Sequence, residues 1–137
     1  MPSKQFSLRV ATRVFEALER RARETGETRT ALAERLLDEG LRREKHPLIW
    51  FREEGVRRRP RLIGTRLDVW QVVETIRQSD NSPTAAAEYL GLPLHHVEAC
   101  LAYYADYQQE IDEWGAAQRA YSDEAYAEWE RAQQLIG

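Results

Sequence analysis

The chain has 137 residues and a mass of 16.0 kDa, which suits one domain or two small ones and excludes a large multidomain enzyme. Charged residues make up 31% and the mean hydropathy is −0.68, yet 42% of residues are hydrophobic, so the chain can form an ordered core. Cys100 is the single cysteine, which excludes disulfides within the chain and zinc sites built from several cysteines. No apolar run is long enough to cross a membrane and the N-terminus lacks a secretory signal. We therefore expect a cytoplasmic protein with no membrane partner.

Charge is distributed unevenly along the chain. Residues 1–61 contain 16 Lys and Arg against 10 Asp and Glu, whereas residues 62–137 contain 4 against 13. A basic segment suits a polyanion such as nucleic acid, and an acidic segment suits a basic protein surface. The two halves are thus predicted to bind different partners.

Three elements are predicted before residue 44. Residues 5–10 alternate between polar and apolar side chains, which is the period of a half-buried strand. Apolar residues then recur at helical spacing over 12–25, and Gly26 is placed to end that helix. Thr28 is a suitable N-cap for a second helix over 29–43. The apolar stripe of that helix consists of Leu32, Leu36, Leu37 and Leu41.

One strand and two amphipathic helices cannot enclose a core, because the strand edge has no neighbour and the chain is short. Two copies would solve both problems by pairing their strands in an antiparallel ribbon and packing their leucine stripes together. The sequence therefore predicts a homodimer formed through residues 5–43.

Three motifs together resemble the ribbon-helix-helix DNA-binding proteins of the Arc and MetJ type over about residues 4–44. They are Gln-Phe-Ser-Leu-Arg at 5–9, a 16-residue spacer before Gly26, and Thr-Arg-Thr at 28–30. The resemblance implies that Gln5, Ser7 and Arg9 enter the major groove of operator DNA, as the ribbons of Arc and MetJ do. Gln can pair with adenine and Arg with guanine.

The resemblance also implies a DNA phosphate at the start of the second helix, held by Thr28, Arg29 and Thr30. An alternative interpretation makes the polar ribbon residues merely solvent-facing side chains of a dimerisation strand.

Residues 44–61 indicate a linker and a short β element over 48–51, followed by a turn at Gly55. The next residues include four arginines, which extend the DNA footprint or form a solvated basic face. They are Arg57, Arg58, Arg59 and Arg61.

A second domain is predicted over 47–106. Residues 62–68 favour a strand and a turn, and Asp68 can cap a helix with Val69, Val72, Val73 and Ile76 on its buried side. Ala87, Gly91 and Val97 have the spacing of a helix-turn-helix. No Lys or Arg occurs between Arg77 and Arg119, so this unit is interpreted as binding protein rather than DNA.

Residues 60–106 are also similar to a small bacterial domain of unassigned function, through Gly-Thr-Arg at 64–66 and Ala-Tyr at 102–103. The resemblance implies an antitoxin, because that domain usually occurs beside toxins with a PIN-like nuclease fold. The sequence departs from the usual Gly-x-Pro before the triplet, where it has Arg-Pro-Arg at 59–61.

Residues 107–137 form a predicted acidic and aromatic tail with a helix over about 123–135. Tyr and Trp are frequent interface anchors, and an acidic strap suits the basic RNA-binding cleft of a ribonuclease. The alternative is that this helix packs back on the second domain. The residues predicted to bind the toxin are Tyr107, Trp114, Arg119, Tyr121, Tyr126 and Trp129.

Motifs for catalysis are absent: there is no phosphate-binding glycine loop, no Gly-x-Ser-x-Gly and no His-Glu-x-x-His. His96 and Cys100 are four residues apart but lack a third ligand at a usual spacing, which favours a partly buried cysteine beside surface histidines. We expect no catalytic residue, no metal, no cofactor and no enzyme activity.

The predicted fold is mainly α with short β: a ribbon-helix-helix dimer over 1–45, a helix-turn-helix-like domain over 47–106 and a helical tail over 107–137. The predicted function is that of a VapB-like antitoxin, which neutralises a PIN-like ribonuclease toxin and represses its own operon by binding operator DNA. The alternative is a ribbon-helix-helix transcriptional regulator with a ligand-sensing or oligomerisation domain and no toxin partner.

Overall fold

The computed structural model describes residues 2–54 and 57–137. These residues form mainly helices, together with a two-stranded antiparallel sheet. No helix among them is long and apolar enough to cross a membrane. In chain order the elements are α1 (Thr12–Thr25), α2 (Arg29–Lys45), β1 (Ile49–Glu54), β2 (Arg57–Leu62), α3 (Val69–Gln78), α4 (Pro83–Leu90), α5 (Leu94–Asp106) and α6 (Gln108–Ile136).

The chain divides into two compact units, residues 1–42 and 43–137. In the first unit, α1 ends at Gly26, whose φ of 73° lies in the left-handed region. Glycine adopts this conformation readily because it has no Cβ. At the start of α2, the Thr28 hydroxyl accepts a hydrogen bond from the N–H of Ala31 at 3.0 Å. Both helices follow the sequence prediction, except that α2 continues two residues further, to Lys45.

Residues 2–11 are exposed, form no helix and pair with no strand of the described chain. The predicted ribbon would pair this segment with the same segment of a second chain. Because the structure contains one chain, the ribbon stays a prediction.

The second unit begins with a hairpin in which Ile49 of β1 lies opposite Leu62 of β2. This confirms a short β element near residues 48–51 and extends it to residue 54. The turn predicted at Gly55 and the side chain of Arg57 lie outside what the structure describes. Arg61 near the end of β2 and Asp68 form an isolated antiparallel bridge that closes a tight loop.

The core of the second unit lies between the hairpin and the helices α3, α4, α5 and α6. Tyr103 is its largest fully buried side chain. The four apolar residues predicted on the buried side of α3 are all buried. In the next helix pair, Ala87 and Val97 are buried and Gly91 takes a φ of 68° at the intervening turn. The assignment of this pair to a helix-turn-helix that binds protein stays a prediction.

Helix α6 is much longer than the predicted segment 123–135, since it starts at Gln108 and contains 29 residues. Its first part packs on α3 and buries Ile111, Trp114 and Gly115. From residue 119 to the end its residues are exposed, apart from the half-buried Ala127. Only the second part of the helix is therefore a free tail.

A buried ion pair joins three elements of the second unit. Arg59 of β2 and Asp68 are only 8% and 3% exposed, and the Arg59 Nε lies 3.2 Å from the Asp68 Oδ2. The Trp70 Nε1 donates to the same carboxylate at 3.1 Å, and the Trp114 ring of α6 lies 5.7 Å from the Arg59 guanidinium carbon. Asp68 also caps α3 in a capping box with Gln71. The expectation that Arg59 belongs to a solvent-facing basic run is therefore wrong.

Replacing Asp68 with Ala removes the partner of a buried cation and a helix cap at once. We expect Asp68→Ala to lower the free energy of unfolding of the second unit by about 3–5 kcal/mol. Urea titration followed by tryptophan fluorescence measures this change. Glu88→Ala, at an exposed site on α4, is the control and should change stability by less than about 0.5 kcal/mol. Equal effects of the two variants would contradict the structural role of the ion pair.

Candidate functional site

The N-terminal arm exposes both its polar and its apolar residues. Gln5, Ser7 and Arg9 are exposed, and so are the alternating Phe6 and Leu8, at 72% and 63%. The three predicted base-contacting side chains are therefore accessible. The apolar residues between them are not buried by the described residues of the first unit.

The helices of the first unit show the same excess of exposed apolar surface. Only Ala22 and Leu32 are buried among the apolar residues of α1 and α2. Burying a large aliphatic or aromatic side chain is worth about 1.5–3 kcal/mol, so this exposure leaves much stabilisation unrealised in one chain. The exposed large apolar residues of these helices are Val14, Phe15, Leu36, Leu37 and Leu41.

The start of α2 combines hydroxyls, a guanidinium and helical N–H groups. Thr28, Arg29 and Thr30 are all exposed there. The first N–H groups of a helix lack acceptors within the helix and favour an anion. The Arg29 guanidinium lies 4.8 Å from the ring centroid of Phe15 and 3.5 Å from the Glu19 Oε1. An anion here would compete with Glu19 for that guanidinium.

The predicted toxin-binding residues fall into two groups. Tyr107, Trp114 and Arg119 make contacts within the second unit. The Tyr107 ring lies 4.6 Å from that of Tyr103, Trp114 is 9% exposed, and Arg119 lies 3.5 Å from Glu74. The other three are exposed on the second part of α6, by 71%, 60% and 57%: Tyr121, Tyr126 and Trp129.

Five residues of the second part of α6 form one uncharged stripe, which we name the tail face. At 100° per residue they lie within one narrow arc of the helix. This arc continues the side that buries Ile111 and Trp114 in the core. Glu124 and Glu128 border it on one side, whereas Asp123 and Glu130 lie on the opposite side of the helix. The tail face consists of Tyr121, Ala125, Trp129, Ala132 and Ile136.

A cluster that the sequence did not reveal joins the end of α2 to the end of α5. The Asp106 Oδ2 lies 2.7 Å from both the Lys45 Nζ and the His46 Nε2, and His46 is buried with its ring edge-on to Tyr103 at 5.1 Å. The hydrogen bond from Lys45, followed by that with His46, lowers the pKa of Asp106 below its ordinary value. The partners lie 60 residues apart, so no local pattern could have indicated the cluster.

The isolated thiol is unsuited to nucleophilic chemistry. Cys100 is fully buried, and burial raises the pKa of its thiol to about 12, so the thiol is protonated at neutral pH. Within residues 2–54 and 57–137, no three His, Cys, Asp or Glu side chains are grouped to hold a metal ion.

The comparisons with known proteins concern only the second unit. Residues 53–104 match a family described as protein of unknown function (DUF433). No curated protein and no solved structure matches the chain. The matched segment overlaps residues 60–106, where the sequence resembles a small domain of unassigned function.

The pKa of Asp106 yields a prediction about acid stability. A pKa held below the ordinary 3.8 means that the ionised carboxylate stabilises the folded chain above that pH, and that this contribution is lost as the pH falls through the folded pKa. Asp106→Asn should therefore lower the melting temperature at pH 6 and flatten its decline between pH 5 and pH 3. Asp80→Asn is the control, because Asn tolerates the φ of 56° at that turn. An equal decline in melting temperature for wild type and Asp106→Asn between pH 5 and pH 3 would contradict the stabilising role of the Asp106 carboxylate.

Proposed function

We propose that this chain is a homodimeric, DNA-binding antitoxin. Its first unit dimerises and binds operator DNA, thereby repressing its own operon. The second part of α6 binds and neutralises a PIN-like ribonuclease toxin. The observation that carries the proposal is the exposed apolar surface of the first unit, which buries only Ala22 and Leu32 of its helical residues.

This surface supports a dimer because of its size and arrangement. A unit of 42 residues is at the limit below which a chain usually needs a partner to fold stably. Exposed leucines of α2 and exposed apolar residues of the arm offer one self-complementary patch on each chain. Packing two such patches together would bury both.

The exposed polar residues of the arm support DNA binding in the same dimer. Gln5, Ser7 and Arg9 alternate with Phe6 and Leu8, so a ribbon that buries the apolar set would present the polar set outward. The exposed start of α2 supplies donors for a phosphate beside such a ribbon.

The tail face supports a protein partner. Helices in proteins gain most of their stability from packing an apolar face, yet Trp129 and Ile136 remain 57% and 83% exposed. Glu124 and Glu128, which lie along one side of the tail face, disfavour pairing with a second copy and favour a groove with a basic edge. A ribonuclease must carry a basic surface to bind RNA, so it fits this description.

Two variants separate dimerisation from DNA reading. Leu37→Glu should convert the dimer to a monomer in analytical ultracentrifugation, because it places a charge in the leucine stripe that the proposed dimer would bury. Arg9→Ala should leave the dimer intact and weaken binding to the DNA upstream of the gene by about 5- to 150-fold, the cost of about 1–3 kcal/mol for one lost base contact. Arg20→Ala, which removes an exposed charge from α1, is the matched control. Equal binding by the Arg9 and Arg20 variants would exclude base reading by the arm.

A third variant tests the partner surface. Trp129→Ala should abolish co-purification of the tagged chain with the product of the neighbouring open reading frame, because a central aromatic anchor can contribute 2 kcal/mol or more, as an order of magnitude. Tyr89→Ala is the control, since Tyr89 is an aromatic residue 82% exposed on α4. Retention of a nuclease by the Trp129 variant would exclude the tail face as the anchor. Failure of the wild type to retain one would favour a regulator without a toxin.

A further inference from the structure

The second unit carries an arginine-rich surface that the proposed function does not use. Across the hairpin, Trp50 lies opposite Arg61 and Arg52 lies opposite Arg59, so these side chains project from the same side of the sheet. Arg43 stacks on Trp50, with its guanidinium carbon 3.8 Å from the ring centroid. We name Arg43, Trp50, Arg52 and Arg61 the arginine face.

The positive charge of this face is not neutralised by the described side chains. Asp68 offsets Arg59, and Glu53 lies 3.6 Å from Arg58, which projects from the other side of the sheet. Among the side chains that the structure describes, no carboxylate pairs with the arginines of the face. Arg43 and Arg52 are exposed, and Arg61 is half-buried. Adjacent like charges repel, which favours binding of a polyanion.

The loop after β2 adds a fourth cation on a well-defined turn. Gly64 has a left-handed φ of 74°, and the Thr65 hydroxyl donates to the Leu62 carbonyl at 2.8 Å while accepting from the N–H of Leu67 at 3.0 Å. Arg66 follows directly and is exposed. The Gly-Thr-Arg triplet thus builds a turn that presents an arginine.

We propose that the arginine face and Arg66 together bind the phosphate backbone of duplex DNA, as a second contact separate from the N-terminal arm. The planar guanidinium fork matches phosphate oxygens in a bidentate manner. Arg43 already stacks on the Trp50 ring, which makes this ring a support for a guanidinium rather than a platform for an unpaired base. Backbone contacts of this kind raise affinity for any duplex and carry no sequence information.

The test measures binding of the full chain to a duplex of random sequence over a range of salt concentrations. The triple variant Arg43→Gln, Arg52→Gln, Arg66→Gln should reduce the slope of log affinity against log salt by about 2.7 for each chain that contacts DNA, at about 0.9 per lost phosphate contact. Affinity for operator DNA should fall by the same factor as affinity for random DNA. The matched control is Arg20→Gln, Arg23→Gln, Arg131→Gln, which removes three exposed charges elsewhere.

A slope change no larger than that of the control would overturn the inference. So would a greater loss of affinity for single-stranded RNA than for the duplex, which would indicate an RNA site. The result is independent of the proposed function: if Arg9→Ala has no effect and the triple variant does, the arm is not the reader but the arginine face still binds DNA.

Discussion

A cation removed from water constrains the arrangement of the second unit. Asp68 meets the buried Arg59 guanidinium, and Asp68 is itself held by the start of α3 and by the indole of Trp70. The Trp114 ring lies 5.7 Å from the guanidinium carbon, which brings the first part of α6 to the same charge pair. The hairpin, α3 and α6 are therefore linked by this charge pair as well as by the hydrophobic core.

The ion pair of Arg59 with Asp68 also fixes the surface of the hairpin. A shift of one residue in the strand pairing would move Arg59 to the other side of the sheet and away from Asp68. The ion pair therefore fixes the register of the hairpin, and with it the positions of Arg52 and Arg61. The turn at Gly64 is closed by the bridge from Arg61 to Asp68. A buried pair that stabilises the unit thus also fixes the positions of arginines available to a polyanion.

Local signals predicted the helices well. Gly26, Thr28 and Asp68 mark helix ends or starts through φ preference and side-chain capping, which depend only on neighbouring residues. The early start of α6 was missed because Tyr107 precedes it without a side-chain cap hydrogen bond.

The sequence did not predict two contacts between residues that are not close in the chain. These are the ion pairs of Arg59 with Asp68 and of Lys45 with Asp106. Periodicity assigns a charged residue to a surface, and only the folded chain shows which charged residues are paired inside. The ribbon and the partner contacts of the tail face stay predictions for a different reason, since each requires a second chain.

The net charge of −3 is a poor guide to what this chain binds. At physiological ionic strength exposed charges are screened beyond about 8 Å, so a partner responds mainly to the residues that it contacts. The arginine face and the two glutamates beside the tail face, Glu124 and Glu128, are then separate local fields, each suited to a partner of opposite charge. The two proposed binding surfaces are therefore compatible within one chain, although its total charge favours neither partner.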